Sequence, residues 1–230
     1  MKRIAILQSN YIPWKGYFDI INSVDEFIIY DDAQYTVRDW RNRNIIKTKN
    51  GLKWLTIPVL VKNRRYQKIN ETRIADNKWA SKHWESIKHS YSSSPFFDDY
   101  NDIFEKAYQE CKELDFLSDV NRFFLEIINS ILGIGTTISD SSLYVIEGDR
   151  NQKIISICKQ AGADVYLSGP SAKNYVEEEI FEKAGIKLCW ADYKDYPEYC
   201  QKYPPFEHNV SILDLILNEG EKVSLFMKSF

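Results

Sequence analysis

The segment Arg38-Asp39-Trp40-Arg41-Asn42-Arg43 sets three guanidinium groups, an indole and an amide within six residues, just beyond the adjacent acids Asp31-Asp32. A planar guanidinium fork matches the oxygen geometry of phosphate or carboxylate, so this run beside two acids reads as recognition chemistry for an anionic ligand. The competing reading is a charged loop bordering a hairpin and simply solvated. Asp31 or Asp32 could hold a magnesium ion or act as a base; equally, one could cap the following turn while the other pairs with Arg41 or Arg43.

Further polar groups follow other short apolar runs: Gln8, Asn10 and Tyr11 after the first, Gln34 and Tyr35 beyond the acid pair, Ser168-Gly169 after Tyr166-Leu167. Ser168-Gly169 could present backbone N–H groups to an anion, but a plain strand-to-helix turn reads as well, since neither a Gly-x-Gly-x-x-Gly fingerprint nor a P-loop ending is present. His83, between Trp79 and Trp84, has the type of a general base or a stacked ligand contact, and equally of a hydrogen-bonded core histidine. The three histidines lack zinc-site spacing and no Gly-x-Ser-x-Gly elbow occurs, so hydrolase and metalloprotease readings fall away and no metal site is expected. The 15 Tyr, 12 Phe and 6 Trp often stand beside polar residues, a placement suited to sugar or nucleoside faces.

These groups need a scaffold. Arg3 to Leu7 reads as a strand, Tyr17, Phe18, Ile20, Ile21 and Val24 as a helical stripe, and Glu26 to Tyr30 as a second strand, which together favour a parallel pair. Asn50-Gly51 between two β-like runs is a hairpin signal, and a short strand is expected at 68–70 or 72–74. Helical spacing runs through Trp79 to Tyr91 and Asp98 to Glu113, then from a Ser118 cap to Gly133. Strands are expected at 143–146, 164–167 and 186–190, with a helix from Asp149, where Gln152 completes a capping box, and another from Ser211 to Gly220. The expected fold is α/β: a mixed, largely parallel sheet with flanking helices, a β-hairpin insertion at about 43–60 and a helical segment at about 77–133, in one domain spanning 1–230. If the strands are parallel, the polar groups meet at the carboxyl edge, where open α/β sheets bind ligands.

Composition limits the function classes. A net charge of −3 argues against a general nucleic-acid binder, so any positive field must be local. No apolar run reaches the roughly 20 residues of a membrane span, and no signal peptide is recognised, so a cytoplasmic protein without membrane insertion is expected. The four cysteines form no Cys-x-x-Cys pair and read as reduced thiols, Cys158 as a buried structural one.

The chain resembles the WbqC-like family of bacterial proteins. The resemblance rests on Gln8 to Asp19 (QSNYIPWKGYFD), Tyr30 to Tyr35 (YDDAQY), Trp40 to Asn44 (WRNRN), His83 to Ile87 (HWESI), Tyr166 to Gly169 (YLSG) and Ser211 to Asp214 (SILD), with Ser9 where Pro is more usual. It implies a place in O-antigen or related lipopolysaccharide biosynthesis, and a transferase that moves an acyl or aminoacyl group onto a nucleotide-linked amino sugar. In that scheme Arg38, Arg41 and Arg43 hold phosphate, Asp31, Asp32 or His83 serves catalysis, and Trp14, Tyr17 or Trp40 packs on a ring. Gln8, Asn10, Tyr11, Gln34, Tyr35, Asn42, Ser168 and Gly169 complete the expected substrate contacts. No fixed cofactor is implied; an acyl or aminoacyl thioester is the candidate co-substrate, an acyl-carrier protein the candidate partner. Two rivals remain: a nucleotidylyltransferase-like enzyme, which lacks the His-x-x-His motif of its class, and a non-catalytic binding or scaffold protein of the same pathway.

Overall fold

A five-stranded parallel sheet organises the computed structural model, which describes all 230 residues. Its strands are β1 (Arg3–Leu7), β2 (Glu26–Ile29), β5 (Thr137–Asp140), β6 (Val165–Ser168) and β7 (Lys187–Trp190), in the order β5-β2-β1-β6-β7. The antiparallel part expected of a mixed sheet is confined to a separate hairpin, β3 (Arg43–Thr48) and β4 (Gly51–Thr56), turned at Asn50-Gly51 with Gly51 at φ +100°. Ala5, Phe27, Ile29 and Leu167 face the larger core, whereas Ile4, Ile6, Ile28 and Tyr166 face a smaller one, so the two-residue strand period sorts the sheet between two helical layers. The chain steps from β1 outward to β2 and β5, then crosses back to β6 and β7. The reversal falls between β1 and β6, and outside their carboxyl ends a ligand crevice is expected.

On the large-core side pack α1 (Lys15–Asn22), α2 (Lys78–Tyr91), α3 (Phe97–Glu110), α4 (Leu117–Leu132) and α7 (Ile212–Glu219). On the other side lie α5 (Arg150–Gln160), opened by the Asp149–Gln152 capping box, and the short α6 (Glu178–Lys183). No helix is long and apolar enough to cross a membrane.

Four local expectations change. The edge strand is Thr137–Asp140 and not 143–146; Leu143 and Val145 are exposed, and the Val145 backbone is satisfied by Ser156 and Gln160 side chains of α5 instead of a neighbouring strand. The region 68–74 forms a 3₁₀ turn at Ile69–Glu71 flanked by isolated bridges, not a strand. Helix α4 is entered from Phe116 in extended backbone without a side-chain cap, so Ser118 lies inside its first turn. After Ser168-Gly169 the chain makes a 3₁₀ turn at Pro170–Asn174, and the α-helix expected to follow that strand starts only at Glu178.

The segment 191–211 has no regular structure, yet it is held firmly. Buried Asp214 accepts hydrogen bonds from Tyr91 (2.7 Å), Tyr199 (2.6 Å) and Gln201 (2.7 Å), tying the segment to α2 and α7. Burial raises the Asp214 pKa despite those donors. Lys47 of β3 donates to the Gln201 side chain at 2.8 Å and to the Pro205 carbonyl. Lys15 donates to the Pro197 carbonyl at 2.9 Å from a buried position that lowers its pKa to about 8.

Candidate functional site

The turn after β1 is built by donors aimed at its carbonyl groups. Tyr17 of α1 donates to the Gln8 carbonyl at 3.0 Å, and Arg41 reaches the Ser9 carbonyl at 3.3 Å and the Asn10 side-chain oxygen. Asn44 of β3 donates to the carbonyls of Tyr11 (3.1 Å) and Ile12 (2.6 Å), while the Tyr11 N–H donates to the Trp40 carbonyl at 3.1 Å. The hairpin and the run before it therefore clamp residues 8–12 against the sheet.

Above that turn opens a cavity of about 250 Å³, lined by Asn10, Pro13, Trp14, Trp40, Asn44, Tyr193 and Asn209. It lies beyond β1, on the crevice side of the order reversal. Trp14 meets Tyr193 edge-on at a centroid distance of 4.9 Å and Tyr196 at 5.4 Å, and Gly16 leaves room for its indole: a Cβ there would come within 2.4 Å of Trp14. Gly169, after β6, is likewise close to Tyr193, whose hydroxyl would stand 3.7 Å from an added Cβ. Ser168 is buried at the strand end and its carbonyl accepts from the Ala191 N–H at 2.9 Å. Apolar ring faces with amide groups between them suit a ligand carrying both ring surface and hydroxyls.

A second cavity, about 260 Å³, lies across the carboxyl ends of β2 and β5. Asp31, Asp32, Asp119 and Asp140 line it, with Arg122 as the cation that pairs with Asp140. Asp31 is 5% exposed and both its oxygens accept from Ser9, through the backbone N–H (2.8 Å) and the hydroxyl (2.6 Å). Burial lifts its pKa to about 6, against the lowering effect of the Ser9 donors and Arg41. Asp32 is also partly desolvated, but donors from Ser141 (2.7 Å) and Lys68 (3.1 Å) outweigh this and lower its pKa. Ser9 joins the two cavities, because its carbonyl accepts from Arg41, which in turn holds Asn10.

Asn10, Trp14 and Trp40 thus share one cavity, and Asp31 and Asp32 share the other. Gln8, Tyr17, Arg41 and Asn42 act on the frame; Asn42 donates to the Ile57 carbonyl at 2.8 Å. The three arginines do not form one bank. Arg43 lies over Trp54, 4.1 Å from its ring centroid, and also donates to the Arg38 carbonyl, whereas Arg38 is exposed at φ +61°. Gln34 is exposed and donates to the Arg65 carbonyl at 2.8 Å, and Tyr35 is buried with its N–H on the Gln67 carbonyl. His83 lines neither cavity: Nε2–H donates to the Thr56 carbonyl (3.2 Å), and Nδ1 accepts from Tyr11, whose oxygen accepts from Tyr108 at 2.6 Å. Burial holds its pKa down to about 4, which favours the neutral ring in this buried hydrogen-bonded chain. Tyr11 belongs to the same buried chain.

Tyr193 and Asn209 escaped sequence reasoning because 191–211 has no periodicity; Asn44 stood inside the quoted WRNRN motif and was the one signal available.

A parallel sheet with an aromatic and amide-lined cavity at its carboxyl edge defines an α/β protein in which loop residues and Asn44 of the hairpin line that cavity. The chain belongs to the WbqC-like protein family, whose model matches residues 8–224. It is similar to an uncharacterized protein of Mycobacterium tuberculosis, Rv1507c, at 47% identity over 228 residues, covering 99% of this chain and 98% of the relative. No solved structure matches.

Proposed function

We propose that this protein transfers an acyl or aminoacyl group from a thioester onto the amine of a nucleotide-linked sugar, as a step of bacterial surface-polysaccharide biosynthesis. The observation that carries the reading is the cavity in which Trp14, Trp40 and Tyr193 offer ring faces between the amides of Asn10, Asn44 and Asn209. That donor set suits a pyranose, whose C–H faces pack on rings while its hydroxyls bond to amides. The setting in surface-sugar synthesis comes from the family resemblance.

In this scheme the sugar lies against Trp14 and Trp40, and Arg38 and Arg43, near the cavity residues Trp40 and Asn44 in the chain, meet the diphosphate. The amine nitrogen attacks the thioester carbonyl, the carbon–sulfur bond breaks, and the thiol leaves. The proton lost by the amine is taken up by the Asp31 carboxylate, which lines the neighbouring cavity and is held by the Ser9 hydroxyl at 2.6 Å. A carboxylate whose pKa has been raised to about 6 is ionised at neutral pH and more basic than an ordinary one. His83 serves in the frame.

A thermal-shift screen of nucleoside-diphosphate sugars, nucleoside triphosphates and acyl thioesters tests binding, because a ligand at a hundred times its Kd stabilises a fold by about 2.7 kcal/mol. Nucleotide sugars should raise the melting temperature, and Asp31→Asn should retain that binding while thiol release falls. Stabilisation by triphosphate with magnesium but not by nucleotide sugars would instead favour nucleotidyl transfer. Binding without turnover on any thioester would leave a ligand-binding protein.

A further inference from the structure

From Val37 to Lys68 the chain carries ten Lys or Arg against the single Asp39, a net +9, so the rest of a chain of net −3 carries −12. The same stretch holds seven of the fourteen exposed large apolar side chains, including Leu52 at 50%, Trp54 at 42% and Tyr66 at 79% exposure. Lys47 is buried and Arg41 turns inward to the Ser9 carbonyl, so the other eight cations, together with the apolar groups, face outward from this stretch of an otherwise acidic molecule.

Two clusters make up the lobe. Strand alternation places Leu52 and Trp54 on one face of β4, and Trp40 packs on Trp54 at a centroid distance of 5.3 Å. The Arg43 guanidinium covers the Trp54 ring and also bonds the Arg38 carbonyl. In the second cluster Gln34 holds the 60–66 loop through the Arg65 carbonyl, and Arg65 lies 5.8 Å from the Tyr66 ring.

We propose that this lobe is a contact surface for an anionic lipid bilayer. Cations there meet the headgroup phosphates, while Trp54 and Tyr66 settle at headgroup depth and Leu52, Leu60 and Val61 reach the acyl boundary. A nucleic-acid strand would use the cations and rings but leave those aliphatic side chains in water. The −12 elsewhere is repelled by the same surface and so turns the lobe toward it. This is adsorption at the interface, not a span, and it is carried by Leu52, Trp54, Arg64, Arg65 and Tyr66, none of which lines the aromatic cavity.

Vesicle co-sedimentation tests it with the full chain, using phosphatidylcholine alone and phosphatidylcholine mixed with phosphatidylglycerol. The chain should sediment with the phosphatidylglycerol vesicles and stay in solution with phosphatidylcholine, and binding should weaken as salt rises. Arg64→Glu with Arg65→Glu, on the exposed loop, should weaken binding about tenfold or more. Leu52→Ser and Tyr66→Ser should each weaken it while leaving its salt dependence in place. The proposal is overturned by failure to bind the anionic vesicles at low salt, by indifference to both serine variants, or by tighter binding of a single-stranded oligonucleotide to the same lobe.

Discussion

Both carboxylate oxygens of Asp31 are held by one residue, Ser9, whose backbone N–H and hydroxyl donate at 2.8 Å and 2.6 Å. Asn121 donates in turn to the Ser9 hydroxyl at 2.9 Å, so the end of β1, the end of β2 and α4 meet at this pair.

Burial of that carboxylate makes stability depend on pH with a definite sign. Its folded pKa of about 6 lies above its ordinary value of 3.8, so the folded state binds the proton more tightly than the unfolded chain. The contribution of Asp31 to stability is therefore greatest below about pH 4 and is lost as pH rises to about 6, by roughly 3 kcal/mol at most. Asp31→Asn removes the titration. The difference in urea unfolding free energy between wild type and variant should slope between pH 4 and 6 and be flat above.

His83 titrates in the opposite sense. Its folded pKa is held near 4, so its contribution is present above about pH 6.5 and is lost as pH falls toward 4. Ring signals of His83 in an NMR titration should stay those of the neutral Nε2–H form at pH 6. Tyr11→Phe, which leaves Nδ1 without its donor, should cost about 1–3 kcal/mol in chemical denaturation.

Trp14 depends on the missing side chain of Gly16. Gly16→Ala would drive a methyl into the indole, 2.4 Å away before relaxation, and displace one wall of the aromatic cavity. Nucleotide-sugar affinity should fall, and the tryptophan emission spectrum should shift; the same affinity in the variant would remove Trp14 from the ligand wall.

Arg41 and Arg38 should separate by a pair of measurements. Arg41→Ala frees the Ser9 carbonyl and Asn10, so melting temperature and ligand affinity should drop together, the former by about 1–3 kcal/mol in stability. Exposed Arg38→Ala should leave the melting temperature unchanged and lower nucleotide-sugar affinity roughly tenfold.

The sheet was legible where strands are short and wholly apolar, as at Arg3–Leu7 and Glu26–Ile29, and the hairpin was legible from Asn50-Gly51. Thr137–Asp140 was not, because an edge strand pairs on one side only and tolerates Thr, Ser and Asp, while Leu143 to Ile146 mimics a strand but bonds to side chains of α5. Asn10 was readable as a group beyond the end of the first strand, and Trp14 and Trp40 as ring contacts implied by the family resemblance, but that the three share one cavity was not legible. The separation of the arginines was not, since residue type does not tell whether a guanidinium meets solvent, a carbonyl or an indole.

The central position of β1 sets the order in which a growing chain can complete its fold. The strand is made first, finds β2 within some twenty residues, and then waits for β6 at Val165 to cover its other edge. Until then the ribosome-bound chain presents an apolar strand with unpaired N–H and C=O groups, the configuration most prone to pairing with a neighbouring chain. Variants that slow closure of that edge should reduce the yield of soluble protein during synthesis before they change the melting temperature of the molecules that finish.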